Sequence, residues 1–429
     1  MLDIKLIRSD PEAVKAAIAR RGEPTSSIDE IVELDALLRT TSTERDEIRS
    51  EIRQTSKQVG ALHAQGNADE ADALADHSRS LGTQEKTLDD RCEQLAAELR
   101  ELLLNVSNMP SPDAPDGLTE DGNVEVRSSG YDPDAYGDHQ KVPHWEIGEQ
   151  LQILDVDRAV RLSGSMFVMY RGDGARLLRA LIAYGLERNR DAFEEVRPPT
   201  LVKSDTMIGS GHLPKFADDA YHIERDDLWA IPTSEVSLTS MFSGEILNED
   251  ELPMRLMAHT SCYRREAGAA GRDTRGLLRV HEFDKVEMYA FCTPEQGHDV
   301  HIEILDRAES AIRDLGLVHR VLDLACGDIS GAGTRTFDIE VFAPGADRWL
   351  EVSSVSWCTD YQTRRANIRY RSEGAKGTRF VHSLNGSALA VPRVWAAIVE
   401  TYRQPDGSIE MPEVLHPYLG GLTKIPAPG

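Results

Sequence analysis

The chain reads as an α+β protein in which a long helical hairpin precedes a strand-bearing globular part. Three observations predict this. Leucine recurs at every seventh position, Leu74, Leu81, Leu88, Leu95 and Leu102, behind an earlier apolar series with three-and-four spacing. A proline-rich break from Asn108 to Gly117 then closes the periodic region. Beyond it, residues 257–291 alternate with the period of two that belongs to strands, on both sides of a glycine-bearing loop. The expected division is an arm over 1–110 and a globular domain over 111–429.

Composition narrows the function. At 429 residues the chain can bury a large core, and its formal charge of -25 confines any RNA site to a local basic patch on an acidic body. Cys92, Cys262, Cys292, Cys326 and Cys358 are odd in number and far apart, so they read as reduced thiols and signal neither a disulfide framework nor a CxxC zinc site. No stretch approaches the roughly 18–20 apolar residues of a membrane span, and MLDIKLIRSDPE is no apolar leader. The expectation is a soluble, cytoplasmic protein without a membrane partner.

The elements follow in order. Ser9-Asp10-Pro11-Glu12 starts a helix, with Ser9 or Asp10 as cap, that runs to about Arg20 and stops at Gly22. From Ile31 the seam passes through Leu34, Leu38, Ile48, Ile52, Val59 and Leu62, with Thr41, Arg45 and Thr55 as weak points, and breaks at Gln65-Gly66-Asn67. The two helices make an antiparallel coiled-coil hairpin projecting roughly 50 Å, a reach device or an interaction arm. Arg45, Arg49, Arg53 and Lys57 share one side of the first helix. They are either a solvated, ion-paired face or a phosphate-contacting stripe. Residues 1–110 hold 14 Lys and Arg against 22 Asp and Glu, so such a stripe is the arm's main positive feature.

In the globular part, Leu177–Asn189 reads as a helix, Thr200–Val202 as a strand-like exit and Met207–Phe216 as a glycine-bearing loop. Ile231–Glu235 is a strand end whose Thr233, Ser234 and Glu235 either hold a substrate ammonium or cap a helix. A first strand over His259–Glu266 places Cys262, Arg264 and Glu266 on one face. A second, over Val280–Phe291, puts His281, Phe283, Lys285, Glu287 and Tyr289 on one face and Val280, Val286 and Met288 on the other. The loop between them holds Gly268, Gly271, Arg272, Asp273, Arg275 and Gly276 and is suited to folding over a phosphate. Glu351-Val352-Ser353-Ser354 lies on a strand, its carboxylate and hydroxyls suited either to a hard cation such as Mg²⁺ or simply to an exposed strand face. Arg364, Arg365, Arg369 and Arg371 form a second basic patch, for RNA or for solvent. Asn385 to Arg393 begins a helix that continues through Trp395, Ile398 and Val399. No Ser-His-Asp set or nucleophilic cysteine is evident.

RREAG, GRDTRGLLR and HEFDKVEM resemble the long second motif of class II aminoacyl-tRNA synthetases, in the form carried by bacterial-type seryl-tRNA synthetases. The match spans more than twenty ordered positions. Pro199 is similar to the proline of the first motif, which builds the dimer interface, and Asn385–Arg393 to the third. The resemblance implies an antiparallel sheet flanked by helices, a homodimer, and a ligase that activates L-serine with ATP and transfers it to serine tRNA, with selenocysteine tRNA as a further acceptor. It implies Arg264 and Arg393 as catalytic residues, Arg264 bridging the α-phosphate and the serine carboxylate and Arg393 holding the γ-phosphate. Glu266 would accept from the adenine amine and Phe283 stack on its ring, with Arg265, Val280, Glu351, Val352, Ser353 and Ser354 also at ATP. Mg²⁺ would sit on Glu351 and Ser354. Serine would be held by Arg264, by Thr233, Ser234 and Glu235 near its ammonium, and by Glu287 and Ser387 at its hydroxyl. Arg45, Arg49, Arg53 and Lys57 would meet the long variable arm of the tRNA. Two positions depart from the family: Ser237 replaces a proline, and Trp357 stands where a small polar residue is usual, expected beside the serine pocket. Trp357 and the acidic arm motivate a second reading, a specialised serine-activating relative in a biosynthetic or resistance pathway. A third is an inactive scaffold.

Overall fold

The computed structural model describes residues 1–267 and 275–427. The loop positions Gly268, Gly271, Arg272 and Asp273 lie outside them. The chain divides into two compact units, Leu2–Ala19 with Glu23–Ser107, and Met1 with Arg20–Gly22 and Asn108–Gly429.

The first unit is all helix: α1 (Ile4–Ser9), α2 (Pro11–Ala19), α3 (Ser26–Ala64) and α4 (Ala68–Asn105). Of the two candidate caps for α2, Asp10 acts, its Oδ1 accepting the Ala13 N–H at 3.0 Å. α3 and α4, of 39 and 38 residues, extend about 57 Å, slightly beyond expectation. Ile28 and Ile31 of α3 and Leu81, Leu95, Leu99 and Leu103 of α4 are buried, and the other three heptad leucines are half-buried. The weak points Thr41 and Thr55 are buried too. Thr41 is tolerated because its hydroxyl donates to the Leu37 carbonyl one turn back, at 2.9 Å. Gly66, with φ +82°, makes the reversal between the helices.

The second unit holds α5 (His144–Gln150), α6 (Val156–Ser163), α7 (Gly172–Asn189), α8 (Ser204–Ser210), α9 (Glu235–Ser240), α10 (Gly297–Asp314), α11 (Tyr361–Ala366) and α12 (Val391–Thr401). Its strands are β1 (Val124–Ser128), β2 (Glu194–Glu195), β3 (Leu201–Lys203), β4 (Tyr221–Ile223), β5 (Leu228–Ala230), β6 (Ile246–Asn248), β7 (Met254–Tyr263), β8 (Glu282–Cys292), β9 (His319–Asp323), β10 (Arg335–Ala343), β11 (Arg348–Thr359), β12 (Arg369–Arg371), β13 (Arg379–Phe380) and β14 (His382–Ala390), with a short β15–β16 pair (Ile409–Glu410, Lys424–Ile425). Eight of them form one sheet in the order β1-β9-β10-β11-β14-β8-β7-β2, antiparallel except for the short β2–β7 pair. Two three-stranded sheets, β3-β5-β4 and β13-β12-β6, accompany it.

The two faces of the main sheet differ. Val286, Met288 and Ala290 of β8, Ile339 and Val341 of β10, Val352 and Val355 of β11, and Leu384 and Leu389 of β14 share one apolar core with α7, α10 and α12. α12 is buried almost all round, from Val391 through Val399, which is why its sequence shows no polar stripe. α10 lies close to β14 because Gly386 has no side chain: a Cβ there would come within 2.6 Å of Ile304. The opposite face presents Phe283, Lys285 and Glu287 of β8, Glu351, Ser354 and Ser356 of β11, and Asn385 and Ser387 of β14 to a cavity.

Several expectations are corrected. β7 ends at Tyr263, and Glu266 has φ +51°, so Arg264 and Glu266 lie beyond the strand rather than on its face. Asn385–Ala390 is strand, and the helix begins only at Val391, where Pro392 suits the first turn. Met207–Ser210, expected as loop, is the end of α8. The second basic patch is not one surface. Arg365 is buried against the Tyr361 hydroxyl and the Leu213 carbonyl, at 2.6 and 3.2 Å, while Arg364 and Arg369 both lie over the Phe380 ring.

Candidate active site

The cavity on the polar face encloses about 480 Å³. Its nucleotide-like end is built by the exit of β7 and the entry of β8. The Arg264 N–H donates to the His281 carbonyl at 2.9 Å, so the strands stay paired for one residue past β7. This leaves the Arg264 guanidinium 5.1 Å from the centre of the Phe283 ring. Two residues on, the left-handed turn at Glu266 returns its carboxylate to the cavity, where Oε2 accepts from Arg279 Nη1 at 2.5 Å. A flat ring, a cation and a held acceptor thus converge. Arg265 does not join them: its guanidinium donates to the Asp218 carbonyl at 3.2 Å, and it is absent from the cavity wall.

The second end is acidic and enclosed. Glu235, at the start of α9, receives the Gln362 amide at 2.6 Å and the Asn385 amide at 3.1 Å on one oxygen. Burial, reinforced by the charge of Glu287, pushes its carboxyl up to about 7. Glu287 is itself buried, paired with Lys285 Nζ at 2.5 Å and receiving the Ser387 hydroxyl at 3.4 Å. These three residues meet because Ser387 of β14 stands directly opposite Glu287 of β8, while Lys285 lies two positions along the same face. Thr233 lines the cavity, and its hydroxyl accepts the Glu235 N–H at 3.2 Å at the start of α9. Ser234 does neither; it is fully buried and its hydroxyl has no hydrogen-bond partner among the described residues. His212 is held neutral, its pKa lowered to about 3 by burial and by the charges of Arg264 and Lys285.

Also on the cavity wall, Arg393 donates to the Glu351 carbonyl at 2.7 Å and approaches its carboxylate at 3.4 Å. Glu351 and Ser354 both reach the cavity although they are three residues apart on one strand, which alternation forbids. A β-bulge resolves this: Glu340 faces Glu351 and Ile339 faces Ser353, leaving Val352 as the extra residue. Val352 therefore points into the apolar core, and Ser353 donates to the Ser387 carbonyl at 2.6 Å. Neither of these two expected ATP contacts has a side chain in the cavity. Trp357 is displaced as well. It lies on the opposite face of β11, its indole against Gly297 and 3.3 Å from His382 Nδ1. Its bulk does not touch the candidate serine pocket.

On the arm, Arg45 pairs with Asp89 at 3.1 Å, and Arg49 with Glu85 and Asp89 at 2.6 and 3.0 Å. Arg53 and Lys57 are exposed and make no ion pair among the described residues. The strand alternation puts Lys285 on the cavity face without a role, and Asn385, Gln362, His212 and Arg279 are site residues beyond those expected from the sequence. Lys285 could have been read as the partner a buried Glu287 requires. Asn385 shares the face of Ser387 by alternation and Arg279 ends the hairpin loop, whereas Gln362 and His212 come from distant elements and leave no local signal.

Comparison with known proteins agrees with this arrangement. The family described as seryl-tRNA synthetase N-terminal domain matches residues 1–110, and the one described as tRNA synthetase class II core domain (G, H, P, S and T) matches residues 220–402. The serine--tRNA ligase of Thermomicrobium roseum is 46% identical over 428 residues, covering 99% of this chain and 95% of that one. That of Synechococcus elongatus is 44% identical over 423 residues, covering 98% of each. Among solved structures, seryl-tRNA synthetase from Pyrococcus horikoshii complexed with ATP superposes with a TM-score of 0.92 at 34% identity, covering 100% of both chains. With fold, cavity and full-length similarity in agreement, the chain belongs to the seryl-tRNA synthetase family.

Proposed function

We propose that the protein is a serine–tRNA ligase: it activates L-serine with ATP and transfers the seryl group to the 3′ end of serine tRNA. One observation carries this reading. A single cavity joins an enclosed pair of carboxylates with a facing hydroxyl, Glu235, Glu287 and Ser387, to an arginine-lined end with a flat ring and a fixed acceptor, Arg264, Arg393, Phe283 and Glu266.

In the first step a carboxylate oxygen of serine attacks the α-phosphorus of ATP, and pyrophosphate leaves. In the second a terminal ribose hydroxyl of the tRNA attacks the seryl carbonyl carbon, and AMP leaves. Neither step requires an enzyme nucleophile; both require in-line placement and neutralised charge. Arg264 would hold the serine carboxylate and the α-phosphate together, and Arg393 would take the γ-phosphate. Glu266, kept in place by Arg279, would accept from the adenine amine, with Val280 and Phe283 against the ring. Glu235 and Thr233 would receive the ammonium, and Glu287 with Ser387 the hydroxyl. A site whose buried polar groups expect a hydroxyl rejects alanine, because alanine leaves them unpaired.

The donor set suits Mg²⁺. Glu351 and Ser354 offer hard oxygens, and opposite Ser354 the Oδ1 of Asp338 is buried without a hydrogen-bond partner among the described residues. Bound there, the ion would neutralise phosphate charge. On the arm, Arg53 and Lys57 are free to meet tRNA phosphates, whereas Arg45 and Arg49 would first have to exchange their carboxylate partners. The class II first motif supports a homodimer. No described helix is long and apolar enough to cross a membrane; the setting proposed for the enzyme is the cytoplasm. The position of Trp357 removes one ground for a specialised relative with an altered pocket.

Serine-dependent ATP–pyrophosphate exchange, with charging of total tRNA by labelled serine, tests the reading. Exchange with charging is expected. Exchange alone would redirect activated serine to another acceptor, and neither would leave a binding protein.

A further inference from the structure

A buried histidine–carboxylate pair lies behind the nucleotide end of the cavity. His144 and Glu400 have fully buried side chains, with Nδ1 and Oε1 2.7 Å apart. Glu400 stands on the buried side of α12 and is saturated. Its Oε1 also accepts the His144 backbone N–H at 2.8 Å, and its Oε2 accepts the N–H groups of Gly345 and Ala346 at 2.9 and 3.1 Å. The other ring nitrogen, Nε2, accepts the backbone N–H of Leu277 at 2.9 Å. Since Nε2 accepts, Nδ1 must carry the proton and donate to Glu400, so both contacts together select one tautomer of a neutral ring.

Leu277 opens the stretch Leu277–Val280 that walls the nucleotide end of the cavity and includes Arg279, the residue that holds Glu266. The preceding Gly276, with φ +62°, makes room for the contact, because a Cβ there would come 2.3 Å from His144 Nε2. We propose that His144, held by Glu400, is a positioning residue for ATP: it ties the start of this wall to α12 and so sets the reach of Arg279 and Glu266 without touching the nucleotide. The serine end, built on β8, β14 and α9, shares none of these contacts.

The inference rests on ATP occupying the Glu266 end. The test is direct ATP binding by calorimetry, together with separate KM values for ATP and serine in pyrophosphate exchange. His144→Phe keeps the ring volume and removes both nitrogens; ATP affinity should fall about tenfold or more while the KM for serine stays within about twofold. His144→Gln, which retains an acceptor for Leu277, should recover part of the ATP affinity. Gly276→Ala, which crowds the same contact from the other side, should reproduce the ATP-selective loss and serves if His144→Phe does not fold. Equal losses for ATP and serine, or unchanged ATP affinity in His144→Phe and Gly276→Ala, would overturn the proposal. A parent protein that fails to bind ATP would overturn the functional reading instead.

Discussion

The arm and the cavity use the same residue types under opposite conditions. Arg49 on α3 meets Glu85 with side chains 34% and 25% exposed, whereas Lys285 and Glu287 meet at 9% and 1%. The half-buried arm pair is screened by water and contributes little to stability. The buried pair repays its desolvation only while both members are present, and removing one costs about 3–5 kcal/mol. A charge on the arm is therefore replaceable, and one in the cavity is bound to its partner and to whatever ligand completes it.

The largest expected effect tests the cavity side. Glu287→Ala should abolish serine-dependent pyrophosphate exchange, about 10³-fold or more, because it removes the hydroxyl acceptor and strands Lys285. Glu287→Gln, which keeps the volume, should fold normally and still lose activity; near-normal adenylate formation by either variant would refute the assignment. Next is the titration of Glu235. Its carboxyl is raised to about 7, so below that pH it is largely protonated and presents no charge to the serine ammonium. The KM for serine should fall as pH rises through about 7, and Glu235→Gln should have a high KM with that pH step removed. The same step persisting in Glu235→Gln would assign it to another group.

The arm should respond more weakly and selectively. Replacing Arg53 and Lys57 by glutamate should raise the KM for tRNA about tenfold and flatten its salt dependence while leaving pyrophosphate exchange untouched. An unchanged tRNA KM would move the phosphate contacts elsewhere on the arm. Smallest of all, Arg49→Ala should leave the denaturant midpoint of unfolding almost unchanged. A clear fall would mean that the interhelical pairs do more than exposed pairs normally do.

The legibility of the chain follows the same division. The arm was readable almost residue by residue, since Leu81 and Leu95 are buried where the heptad places them, and even the polar intruders Thr41 and Thr55 were visible as weak points. In the cavity, Phe283, Lys285 and Glu287 were readable from alternation alone. Arg264, Glu266, Glu351, Ser354, Ser387 and Arg393 owed their expected roles to resemblance, and all line the cavity. Arg265, Val352, Ser353, Ser234 and Trp357 share those segments but have no side chain in it.

By itself the sequence determined the two long helices, the apolar and polar faces of β8, and the break that ends the helical region. Each of these is a local periodicity, which a chain expresses wherever it goes. Only the tertiary structure decided which side of β11 and β14 faces the cavity at each position. The bulge that makes Val352 the extra residue lets Glu351 and Ser354 face the cavity together, and a second shift near Ala388 brings Asn385, Ser387 and Ala390 to one face. A bulge is a mismatch in count between two strands, so neither strand encodes it alone. The same holds for His144 and Glu400, separated by 256 positions, whose pairing exists only once α12 has packed against the sheet.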